Sequence, residues 1–92
     1  MACTYESITE FERFADLKTL EKALGRVDRY LYTIRGLNVE TRGEFTSDAQ
    51  ARHMGELRQA YQTESTKAAL KKKGFFVSET RTANGIKLTV RA

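Results

Sequence analysis

Ninety-two residues, 40% of them apolar and 30% charged, make one small core and exclude a second, because so short a chain buries only about 60–65% of the surface its unfolded form exposes. No apolar run approaches the roughly 18 residues of a membrane span, and the lone Cys3 excludes an internal disulfide. Residues 1 to 46 hold seven Lys/Arg against eight Asp/Glu and residues 47 to 92 hold nine against four, so the net charge of +4 belongs to the second half, where it can attract an anionic partner.

The first residues, MACTYESITEF, lack the basic start and apolar stretch of a secretory signal, which predicts retention in the cytoplasm. Residues 3 to 10 read as a strand carrying Tyr5 and Ile8. Phe11 and Phe14 then enter the core as the chain turns. Asp16 can cap a first helix by accepting backbone N–H bonds. Leu17, Leu20, Ala23 and Leu24 recur at helical spacing, and Gly25 offers a left-handed exit.

Residues 29 to 34, RYLYTI, carry the strongest β signal of the first half, and Leu37 to Thr41 offers a second short strand. The two form either one bent strand or a tight hairpin around Arg35 and Gly36. Thr46 or Ser47 can cap the long helix that follows, with Asp48 favourably placed at its positive end. Its stripe of Met54, Leu57, Tyr61 and Ala68 thins between Thr63 and Thr66, where the pattern allows a bend or a break. Lys71, Lys72 and Lys73 followed by Gly74 are an ordinary helix stop.

The chain closes with FFVSETRT, a turn at Ala83, Asn84 and Gly85, and IKLTVR, a strong hairpin signal. A two-residue turn puts Val77 on the side of Ile86, Leu88 and Val90, together with Phe75 and the charges of Glu79 and Arg81. A three-residue bulged turn would move those charges out and aim Phe76 inward. The two-residue turn is expected, with Glu79 and Arg81 near the tip, beyond the helix. The order predicts one α+β domain over residues 1 to 92: a mainly antiparallel sheet with both helices on one face, in a ferredoxin-like or split βαβ arrangement.

The second half resembles the end of a small family of unsettled function known from plastids, cyanobacteria and some of their viruses. The matching residues are Leu57, Tyr61, Gly74, Phe75, Val77, Glu79, Gly85, Ile86, Leu88 and Val90, although alanine here precedes Tyr61 and follows the tyrosine in the family. DLKTLEKAL is similar to the family's first helix. The middle departs, for IRGLNVETRG stands where the family carries longer strands rich in Gly, Tyr and Asp. The resemblance implies an α+β fold and no particular chemistry.

No catalytic constellation is present, and neither an enzyme nor a cofactor is expected. His53 stands alone, without the converging ligands or nucleophile that a metal centre or a dyad needs. Glu6, Glu10, Glu12 and Asp16 are spaced near a turn, but nothing else marks a coordinating loop. The first expectation is therefore an accessory or protein-interaction module that self-associates, as a dimer, through an open sheet face or the edge at RYLYTI. Tyr30 and Tyr32 would be its contacts, joined by Met54 and Tyr61 if those are uncovered. The alternative is a nucleic-acid-binding module that uses Lys67, Lys71, Lys72, Lys73, Lys87 and Arg91, with Tyr30, Tyr32 or Phe76 stacking on bases. Neither reading involves a membrane.

Overall fold

The computed structural model describes residues 10 to 91. In chain order these are β1 (Phe11–Arg13), α1 (Leu17–Leu24), a 3-10 turn (Arg29–Leu31), β2 (Tyr32–Arg35), β3 (Asn38–Thr41), α2 (Ser47–Lys72), β4 (Phe76–Thr82) and β5 (Gly85–Arg91). The fold is α+β with two helices and antiparallel sheets. The strand expected over residues 3 to 10 falls, but for Glu10, outside the described residues.

β3 lies between β1 and β2 and runs antiparallel to both. β1 and β2 are therefore parallel, and α1 is their crossover, which makes a split βαβ unit. β2 and β3 are joined by the two-residue loop Gly36–Leu37, with Gly36 at φ 60, so the tight hairpin is the form adopted. RYLYTI is divided: Arg29 to Leu31 wind into the 3-10 turn because the Asp28 carboxylate caps it by accepting from the Tyr30 N–H, and only Tyr32 onward is strand.

Alternation along the strands puts Tyr32, Ile34, Val39 and Thr41 on one side of this sheet and Phe11, Thr33, Arg35 and Glu40 on the other. The first side packs with Leu20, Ala23 and Leu24 of α1 and Met54, Leu57 and Ala60 of α2, and these side chains form one core with Phe14. Phe14 is buried as expected. Phe11 is instead 56% exposed, because β1 begins at Phe11 and alternation turns its ring to the open side.

Local chemistry sets the helix ends. Asp16 caps α1 by accepting from the Thr19 N–H and hydroxyl, and those two bonds hold its carboxyl below the ordinary value. Gly25 stays right-handed at φ -70, so the exit is not left-handed. Thr46 caps α2, which is one continuous helix through residues 63 to 66, without the break that the thinning stripe allows. At its far end Gly74 takes φ 88, the Gly74 N–H bonds the Lys71 carbonyl, and the Phe75 N–H bonds the Leu70 carbonyl. Those two bonds are a Schellman stop, and they send the chain back along the helix.

A buried polar knot ties the start of α2 to the sheet. The Gln50 carbonyl oxygen accepts from the Thr41 hydroxyl at 3.0 Å and from the Glu10 N–H at 3.2 Å, while its amide nitrogen donates to the Phe45 carbonyl at 2.8 Å. Burying Thr41 and Gln50 is tolerable because their polar atoms are satisfied.

The single sheet is the part of the expectation that fails. Among the described residues β4 pairs only with β5, in a two-stranded sheet of its own, and nothing joins the free edge of β1 where a ferredoxin-like fold would place its fourth strand. The hairpin register is the expected one, with Thr82 opposite Gly85 across the two-residue turn Ala83–Asn84. Glu79 does not project past the helix. It lies against α2, since β4 returns alongside that helix.

Candidate nucleic-acid interface

The returning hairpin is held to the rest of the molecule by charge. Arg26, just past α1, donates to Glu64 of α2 and, through both terminal nitrogens, to the two oxygens of Glu79 on β4; the Nη2 bond is 2.7 Å. Lys67 of α2 adds a bond of 3.1 Å to the same carboxylate. These partners hold the Glu79 carboxyl down at about 2, first through the Arg26 hydrogen bonds, and the two carboxylates hold Arg26 above its ordinary value.

Residues 64 to 91 contain seven Lys/Arg and two Glu, and the two are Glu64 and Glu79. Both carboxylates of this segment are thus engaged by the network, and Lys67 belongs to the network too. Lys71, Lys72, Lys73, Lys87 and Arg91 make no ion pair among the described residues and are all exposed. The six predicted cations therefore divide into one structural lysine and five that are unpaired among the described residues.

Register brings free cations together with an aromatic ring. Directly opposed residues of an antiparallel pair share a face. Phe76 stands opposite Arg91, Ser78 opposite Thr89 and Thr80 opposite Lys87, all on the side turned away from α2. Phe76 is 74% exposed. Lys87 and Arg91 are about 13 Å apart along the strand, and the Lys71–Lys73 run ends just ahead of Phe76, across Gly74 and Phe75. The face is aromatic, hydroxyl-bearing and positive, with no carboxylate on it among the described residues.

The other aromatics expected to stack are occupied. Tyr32 is 4% exposed, and its hydroxyl donates to the His53 carbonyl, so it is core rather than contact surface; burial pushes its phenol up to about 12. Tyr30 is exposed, yet the Arg42 guanidinium sits 4.6 Å from its ring centre. Met54 is fully buried, and half-buried Tyr61 accepts the Asp16 N–H. Tyr30 and Tyr32 thus do not share a face, and the open side of the three-stranded sheet carries Phe11 among polar neighbours.

A cleft of about 600 Å³ separates the hairpin tip from α2 and the end of α1, lined by Arg26, Asp28, Glu56, Gln59, Arg81 and Asn84 among others. Its charges are of both signs, and Arg26 is already engaged. His53 packs edge-on against Phe45 at 5.1 Å, and among the described residues no group of His, Cys, Asp and Glu could hold a metal ion. No helix among the described residues is long and apolar enough to cross a membrane.

Compared with family models, with curated proteins and with solved structures, the chain matches none.

Proposed function

We propose that the chain is a nucleic-acid-binding module that engages single strands through the outer face of its hairpin. One observation carries the reading: Phe76, Lys87 and Arg91 share an exposed face with no carboxylate among the described residues, and the run Lys71, Lys72 and Lys73 ends just ahead of it in the chain. Free cations take phosphates by charge, while a flat ring accepts the face of any base. A single strand suits such a surface better than a duplex, whose bases are stacked out of reach of Phe76.

Fluorescence anisotropy of a labelled oligonucleotide at several salt concentrations tests it. Five phosphate contacts give a slope of about −3.5 in log affinity against log salt. Phe76→Ala should cost about 1–3 kcal/mol of binding and leave that slope unchanged, because stacking releases no counterions. Absence of binding at low salt would end the reading.

A protein-interaction module that self-associates is the second reading. It is favoured by a different observation: Ile86, Leu88 and Val90 are only partly covered, and the hairpin has unpaired outer edges among the described residues.

A further inference from the structure

β5 is the outer strand of the hairpin, since β4 is the one lying along α2 and no strand among the described residues pairs with the far edge of β5. That edge is seven residues of extended backbone without proline, and an isolated two-stranded hairpin is marginal in water. Val90 is 43% exposed on the side that faces α2, in line with Ile86 and Leu88. A partner strand would cover both deficits.

The sequence of β5 lets a second copy of the same strand fill that edge, and it favours one register. Two copies related by an axis perpendicular to the sheet keep their faces, so the available registers differ by steps of two in pairing, with the axis passing through one residue. An axis at Lys87 opposes that lysine to itself, and an axis at Thr89 opposes Lys87 to Arg91; like charges directly opposite destabilise both. Axes at Ile86 or Val90 overlap the strands by three residues only. An axis at Leu88 uses the whole strand: Leu88 meets Leu88, Ile86 meets Val90, and Lys87 meets Thr89.

We propose that two copies of this chain join edge to edge through β5, antiparallel about an axis at Leu88, into one four-stranded layer. This deepens the self-association reading and names its surface. Both Phe76 rings then lie on one side of the layer, so the dimer doubles the cationic face. Because Lys87 and Arg91 of both copies share that side, salt screens their repulsion and tightens the dimer, the reverse of its effect on nucleic-acid binding.

Sedimentation of the whole chain without nucleic acid, over micromolar to millimolar concentration, tests the register. Thr89 is exposed opposite Ser78 within its own hairpin, so substitutions there leave the monomer's melting unchanged. Across the axis Thr89 faces Lys87 twice. Thr89→Glu should tighten the dimer and Thr89→Lys weaken it, each by about two- to thirty-fold, and adding Lys87→Glu to Thr89→Lys should restore it. A chain that stays monomeric throughout overturns the proposal. A dimer indifferent to both Thr89 variants also overturns it, while leaving self-association by another surface in place.

Discussion

Residues 10 to 63 and residues 64 to 91 are held together by different forces. In the first region Leu20, Val39, Met54 and Leu57 are wholly buried, and the core they form reaches every element from α1 to the middle of α2. In the second region no residue is buried among those described, and the hairpin is fastened by Arg26, Glu64, Lys67 and Glu79. Burial is strong and insensitive to salt, whereas partly exposed ion pairs are worth little each and weaken as salt rises. The first region is therefore a scaffold and the second an arm, free to spend its outer face on a partner.

The sharpest way to break this contrast is a matched pair of truncations. Leu57→Ala should cost about 2–5 kcal/mol in urea denaturation, since its side chain is fully buried. Leu88→Ala, half covered on the arm, should cost less than about 1 kcal/mol. Equal costs would mean that the arm shares the core.

A smaller effect is expected at the joint between the regions. Gly74 sits at φ 88 with open space around it, so Gly74→Ala is strained by backbone alone, by about 1–2 kcal/mol. The strain should appear as faster hydrogen exchange in β4 and β5 and not in β3.

Acid should loosen the arm before the scaffold. The folded Glu79 carboxyl is depressed from 4.5 to about 2, so its contribution is fully present above its ordinary value and is lost as pH falls from about 4.5 toward 2. The protection of β4 amides relative to their intrinsic exchange rates should fall through that window, and Glu79→Gln should remove the dependence. An arm whose protection ignores pH there would show that the ion pairs do not hold it.

Local signals in the sequence described the elements well. Asp16 and Thr46 cap where their side chains can reach the third N–H on, the Lys run and Gly74 stop α2, and the turn at Ala83–Asn84 sets the hairpin register. That register also put Phe76, Lys87 and Arg91 on one face, which alternation alone implies.

What stayed hidden is non-local. The bond from Arg26 to Glu79 spans 53 residues, and no spacing rule reports it. Lys67 looks like any other helical lysine until Glu79 is beside it. Whether β4 would extend the edge of β1 or stand apart depends on where α2 ends relative to the sheet. The RYLYTI tyrosines misled because Asp28 winds the first of them into a 3-10 turn while alternation sends Tyr32 into the core.

Amide chemical-shift mapping of the labelled protein, titrated with a short single-stranded oligonucleotide at low salt, tests the division of labour most directly. The shifts are expected at Lys71 to Lys73, Phe76, Lys87 and Arg91, with α1 and β3 unmoved. Shifts concentrated on α1 or on the open side of the three-stranded sheet, or none at all, would contradict it.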